Sequence, residues 1–176
     1  ILGEAGIPFQ HASRERLLLG RGVAEILAVY RLIHGWGGLG DLIRAAAVVP
    51  PALKGPTLDA VCAWLSERGW DPATGLAQAA RLPIPGIDAR RQRRVVEWAA
   101  TLTGWQRDLR DRPLGTALSL IGERTGVAAS MDAAPGFREA LEALARRGEE
   151  AGSDAAGFCR RLALTQDLAV RPWLDL

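Results

Sequence analysis

The strongest concentration of charged side chains in this sequence is a run of arginines. Four of them fall within five residues: Arg90, Arg91, Arg93 and Arg94. On a helix they would occupy about one and a half turns and create a local positive field that phosphate groups would sense. The alternative is an ordinary solvated helix face whose charge is relieved by nearby carboxylates such as Asp88 and Glu97, and the charge pattern alone favours this alternative.

No motif in the sequence supports catalysis. The chain lacks a glycine-rich phosphate loop, a G-x-S-x-G elbow, an H-E-x-x-H helix, a C-x-x-C pair and a calcium loop. Glu149 and Glu150 are adjacent carboxylates in a charged helical segment, where solvation is the ordinary explanation. His11 and His34 have no nearby partner in the sequence. We therefore predict no catalytic residue, no metal site and no cofactor in this chain.

The composition is that of an ordinary soluble globular protein. The 176 residues are 48% hydrophobic and 24% charged, with a formal net charge of +2. Cys62 and Cys159 lie in apolar helical patterns, so we expect two small buried side chains rather than a disulfide or a metal site. No apolar run approaches the ~20 residues that span a bilayer, and no secretory signal opens the chain. These features predict a cytoplasmic protein with no membrane partner.

The hydrophobic pattern is helical over almost the whole chain. Caps and breakers, such as the Asp71-Pro72 pair and Gly69, mark where individual helices begin and end. The fold class predicted is all-α, a bundle of about seven to eight helices. The predicted helices cover approximately residues 23–33, 41–47, 56–69, 72–80, 88–110, 114–125, 136–152 and 153–166. A short strand-like stretch at residues 6–9 is the exception.

Several short motifs, in order along the chain, resemble one known family. They are GIPF at residues 6–9, VYRL at 29–32, DLIRAAAVVPPALKGPTL at 41–58, LIGERTGV at 120–127 and FCRRLALTQDL at 158–168. The series is similar to the helical 2B domain that is inserted in the motor of UvrD, Rep and PcrA-like superfamily 1 DNA helicases. Departures from the family pattern suggest a divergent branch, nearer to the helicase–nuclease relatives.

The resemblance implies a division of the chain and a function for the whole protein. Residues 1–12 would be a remnant of motor domain 2A, residues 13–169 the helical 2B-like domain, and residues 170–176 an exit segment returning to domain 2A. The parent would be an ATP-dependent DNA helicase moving 3′ to 5′, with ATP and Mg²⁺ bound in the motor domains. This chain would regulate unwinding or contact duplex DNA. Its hinges would lie near Phe9, Arg14, Val170 and Trp173.

The resemblance also implies where DNA would be contacted. The family has a glycine-containing loop that approaches the duplex backbone, and here the loop reads Ala52-Leu53-Lys54-Gly55. Lys54, the only lysine of the chain, would supply a charge, and Thr57 a hydroxyl and a backbone donor. The candidate contacts are Leu53, Lys54, Gly55 and Thr57 from this loop, together with Arg90, Arg91 and Arg94 from the arginine run, which the charge pattern indicates. We expect weak, strongly salt-dependent binding of duplex or forked DNA.

A different class of function is also open. The chain has six tryptophans and few other aromatic residues, and exposed tryptophans can anchor protein partners. Trp36, Trp70 and Trp173 lie beside glycine or proline, whereas Trp64, Trp98 and Trp105 lie on apolar helix faces where we expect them in the core. The alternative prediction is therefore a helical module that binds another protein, with packing at loop edges as the ordinary explanation for the first three.

Overall fold

The computed structural model describes residues 22–131, 137–150 and 157–158. Within that part of the chain there are eight helices and no strand. Their bounds are Val23–Ile33 (α1), Leu39–Val48 (α2), Pro56–Arg68 (α3), Pro72–Gln78 (α4), Ala89–Leu109 (α5), Leu114–Thr125 (α6), Val127–Met131 (α7) and Phe137–Glu150 (α8). The all-α class is confirmed for these residues. The strand-like stretch at 6–9, the helix predicted at 153–166 and the segments 1–12 and 170–176 lie outside them.

Helix α1 runs through the middle of the bundle and is buried on all sides. Every residue from Ile26 to Ile33 is buried, and the helix packs against α2, α5, α6 and α8. A helix that is buried around its whole circumference lies in the core rather than on the surface. The sequence predicts a single apolar stripe through Tyr30 and Ile33, and the structure extends burial to the opposite face, which includes Ala28 and Leu32.

A buried ion pair joins the end of α1 to the start of α2. Arg31, with 2% of its surface exposed, donates from Nε to Asp41 Oδ1 over 3.1 Å and makes a second contact with that oxygen from Nη2. The other carboxylate oxygen of Asp41 accepts from the backbone N–H of Gly38 at 3.2 Å. The Asp41 carboxylate therefore neutralises the buried Arg31 cation and also accepts from a backbone N–H at the start of α2.

The ends of the outer helices follow local rules. Asp71 caps α4 by accepting from the N–H and the hydroxyl of Thr74 at 2.9 and 2.7 Å, and Asp88 caps α5 by accepting from the N–H of Arg91 at 2.8 Å. Gly69 ends α3 with φ +62°, a conformation that favours glycine. The roles of Asp71 and Gly69 are the ones that the sequence predicts, whereas Asp88, predicted as the first residue of its helix, is instead the residue that caps it.

The long helix α5 presents one face to the core. Val95, Trp98, Leu102 and Leu109 are buried along it, which leaves the opposite face of its first turns to solvent. Trp105 is only partly buried, with the Arg124 guanidinium 5.7 Å from its ring centre. The prediction of core positions is confirmed for Trp64 and Trp98, whereas Trp105 is only partly buried and packs at the edge of the core.

Candidate nucleic-acid interface

The loop between α2 and α3 is fixed by two buried residues and displays one cation. Val49 and Leu53 are almost fully buried, and the Leu53 N–H donates to the carbonyl of Ala46 at 2.9 Å. Lys54 follows directly and is exposed. The φ of Gly55 is +53°, in the region that favours glycine, so the chain can turn there into α3. The loop therefore holds Lys54 outward on an ordered backbone.

The start of α3 adds uncapped donors beside this lysine. Gly55 at the N-cap offers no side chain, and Pro56 at the first helical position carries no N–H. No side chain caps the helix there, which leaves the N–H groups of Thr57 and Leu58 as the first donors of the helix. The partial positive charge of this terminus adds to the charge of Lys54.

The first turns of α5 lie against this loop. Arg94 lines a concavity of about 220 Å³ together with Lys54, Thr57, Ala52 and Leu53. Lys54 and Arg94 therefore line the same concavity, although they are far apart in the sequence. Four of the seven residues predicted to contact DNA line it: Leu53, Lys54, Thr57 and Arg94. Leu53 anchors the loop, because its side chain is buried in the core and its N–H donates to the carbonyl of Ala46.

A second concavity of about 460 Å³ adjoins the first. It is lined by Pro51 and by Arg90, Arg93, Arg94 and Glu97. The four residues of α5 are spaced at i, i+3, i+4 and i+7, which places them on one helix face. Arg94 belongs to both concavities. Together they form a basic trough, defined here by its cations Lys54, Arg90, Arg93 and Arg94.

Arg91 is not part of the trough. Its side chain lies 3.8 Å from Asp88, and both groups are exposed. The pKa of Asp88 is lowered, first by the hydrogen bond from the backbone N–H of Arg91 and further by the nearby charges of Arg91 and Arg90. Arg91 therefore interacts with Asp88, the residue that caps the N-terminus of α5. Arg93 takes its place in the trough, and helical spacing from Arg90 is the signal in the sequence that could have identified it.

The trough is strongly positive. Its four cations are exposed, and none of them forms an ion pair with another residue of the described ranges. Glu97 is the one carboxylate among the residues that line the two concavities. A surface on which cations outnumber carboxylates attracts polyanions, and the attraction weakens as salt is added.

The other residues that the sequence singles out have structural surroundings. The His34 ring stacks on Trp36 with centres 5.0 Å apart, and burial, together with the charge of Arg110, lowers its pKa. Trp36 and Trp70 are partly buried and pack against the core. Cys62 is a free, partly buried thiol whose pKa is raised by burial and by Asp59.

Several predicted residues lie outside the described ranges: the hinge candidates Phe9, Arg14, Val170 and Trp173, and also His11 and Cys159. Among the residues that are described, no group of three or more His, Cys, Asp or Glu side chains is placed to hold a metal ion. No helix in that part of the chain is long and apolar enough to cross a membrane.

The described residues form an all-α fold that carries a basic trough. No family model, curated protein or solved structure matches this chain.

Proposed function

We propose that this chain is an accessory or regulatory helical domain of an ATP-dependent DNA helicase of the UvrD, Rep and PcrA type. In this proposal the motor domains bind ATP and Mg²⁺ and move 3′ to 5′, and this chain performs no catalysis. The observation that carries the proposal is the shared pocket of Lys54 and Arg94. The loop that the family resemblance assigns to duplex DNA lies against the arginine run, and the charge pattern of that run does not depend on the resemblance.

The chemistry of the trough suits a phosphate backbone. Arginine presents a planar fork of donors that matches phosphate oxygens, and Lys54 adds a point charge on a flexible stem. The uncapped start of α3 offers backbone donors to the same anion. Contacts of this kind position a protein on nucleic acid without reading its sequence. Binding by the isolated chain is then weak and falls steeply with salt.

In its regulatory role, this domain would rotate relative to the motor domains. The hinges would be the two connections to domain 2A, near Phe9 and Arg14 and near Val170 and Trp173. When DNA occupies the trough, it favours whichever orientation of this domain lets the duplex reach both the trough and the motor. The partners of the chain are accordingly DNA and the motor domains of its own parent.

Salt-dependent binding of a forked DNA duplex tests the proposal. We expect Lys54→Glu to weaken binding about tenfold at low salt, because it replaces an attractive charge with a repulsive one at the phosphate. Arg91→Glu is the matched control, since it makes the same charge reversal at an exposed arginine outside the trough. Fluorescence anisotropy across a salt series gives both affinities. Equal affinities for wild type and Lys54→Glu would refute the role of the loop, and ATP hydrolysis by the purified chain would refute its accessory role.

The alternative, a protein-binding module anchored by tryptophans, has less support. Trp36 and Trp70 pack against the core and are only partly exposed. Ile43, with 50% of its surface exposed, is the one large hydrophobic side chain that stands out from the described surface. Scattered single apolar side chains of this kind are normal on soluble proteins. Trp173 lies outside the described residues.

A further inference from the structure

The basic trough continues on the other side of α5. A third concavity, of about 520 Å³, is lined by residues 79–83 of the α4–α5 connection and by Gln92, Arg93, Val96 and Glu97 of α5. It shares Arg93 and Glu97 with the concavity beside Pro51. The connection contributes one more exposed cation, Arg81. Arg81 was not among the residues that the sequence indicated for DNA contact.

The Gln92 side chain ties the α4–α5 connection to α5, and within the connection the N–H groups of Arg81 and Leu82 donate to the carbonyl of Gln78 at 2.9 Å. The Gln92 amide nitrogen donates to the carbonyls of Ala79 and Leu82, the second at 3.1 Å, and its amide oxygen accepts from the N–H of Ile84 at 3.0 Å. Both donor hydrogens and the acceptor of the amide are thus engaged by the backbone. Arg81 sits between two of these attachment points, so its backbone is anchored to the helix that carries Arg93.

The lining of the three concavities indicates which part of a nucleic acid would lie there. It includes five cations, Lys54, Arg81, Arg90, Arg93 and Arg94, against one carboxylate, and no aromatic side chain. Proteins that hold single strands stack bases on aromatic rings in addition to neutralising phosphates. A surface with cations and no aromatic ring is suited to the outside of a duplex, where phosphates face the protein and bases do not.

We infer that the phosphate backbone of duplex DNA crosses the first two turns of α5, from Lys54 on one side to Arg81 on the other, with Arg93 at the crossing. Gln92 is a positioning residue that holds the Arg81 side of this path. The inference rests on the proposed function and extends it to a second contact segment that the family resemblance does not indicate.

The test uses the full chain and a fluorescent 20-base-pair duplex of mixed sequence, titrated between 50 and 200 mM salt. With all five cations engaged, the slope of log K against log salt is about −4.5, at about 0.9 for each phosphate contact. Arg81→Gln and Arg93→Gln should each weaken binding about threefold to tenfold and reduce the slope by about 0.9. Arg91→Gln should change the slope by less than half of that amount. Unchanged thermal melting would show that the variants fold.

A double-mutant cycle tests the role of Gln92. Gln92→Ala should weaken duplex binding several-fold when Arg81 is present and have little further effect in the Arg81→Gln background, because its contribution acts through Arg81. An equal loss in both backgrounds would show a purely structural role and overturn the assignment of Gln92.

The outcomes separate this inference from the proposed function. Loss of binding with Lys54→Glu but not with Arg81→Gln would overturn the extension and leave the proposed function standing. Absence of duplex binding by the wild type would overturn both. Tighter binding of the matching single strand, or equally effective competition by polyglutamate at the same charge concentration, would overturn the choice of duplex DNA as the occupant.

Discussion

The indole Nε1 of Trp98 donates to the carbonyl of Val49 at 3.2 Å, joining residues that lie 49 positions apart in the chain. Trp98 is fully buried in α5, and Val49 immediately precedes the loop that carries Lys54. This hydrogen bond attaches the loop directly to the helix that supplies Arg90, Arg93 and Arg94. It therefore sets the geometry between the two halves of the basic trough.

Replacement of Trp98 tests this attachment. We expect Trp98→Phe to lower the free energy of unfolding by about 1–3 kcal/mol, because the Val49 carbonyl is left buried without its donor and part of the ring volume is lost. We also expect weaker duplex binding, because the loop is no longer held against α5. Urea denaturation and fluorescence anisotropy measure the two effects.

Trp64→Phe is the matched control for this experiment. Trp64 is 2% exposed, and its Nε1 is buried without a hydrogen-bond partner, so the substitution removes similar ring volume and no hydrogen bond. It should destabilise the protein less than Trp98→Phe and leave DNA binding unchanged. If the two variants were equal in both stability and DNA binding, the Trp98–Val49 contact would have no special role.

The Arg31–Asp41 pair provides a prediction about stability. Asp41→Asn keeps the shape of the side chain and removes its charge, which leaves the buried Arg31 cation without its carboxylate. Breaking a buried ion pair from one side costs about 3–5 kcal/mol. Arg44→Gln is the control, because Arg44 is partly exposed and lies 4.0 Å from the same carboxylate, and pairs of this kind contribute less than about 1 kcal/mol. A loss below 1 kcal/mol for Asp41→Asn in urea denaturation would contradict this account.

His34 should make stability depend on pH. Burial is the main cause that lowers its pKa below 6.5, and the charge of Arg110 is the second. The unfolded chain therefore takes up the proton at a higher pH than the folded chain, so the contribution of His34 to stability is fully present above 6.5 and is lost as the pH falls from 6.5 toward the folded pKa. His34→Phe keeps an aromatic ring between Tyr30 and Trp36 and should flatten this part of the profile.

Denaturation of wild type and His34→Phe at a series of pH values measures the difference. Arg110→Gln is a second test, because it removes the positive charge near His34. It should raise the pKa of His34 toward its ordinary value, which NMR titration of the imidazole would measure. If the wild-type and His34→Phe profiles ran parallel below pH 6.5, the interpretation would be wrong.

The sequence predicted the helices more completely than it predicted the site. Helix α5 was expected at about residues 88–110 and spans Ala89–Leu109, because Asp88 caps it and its apolar positions repeat along one face. The short helix Val127–Met131 was not predicted, because Gly126, with φ +72°, ends the apolar pattern of the preceding helix. Helix α2 starts at Leu39 rather than at Asp41, because the Asp41 carboxylate reaches back to the N–H of Gly38.

What the sequence determined by itself is the class of the fold, the ends of most described helices and the presence of an arginine run. Caps, glycine turns and apolar periodicity act over a few residues, so they can be read locally. Only the tertiary structure decided that Lys54 lies beside Arg94, that Arg93 and Arg81 face the same surface, and that Arg91 is paired with Asp88 instead. Those relationships depend on how α5 packs, through Trp98 and its neighbours, against loops far away in the chain, and no local pattern encodes that packing.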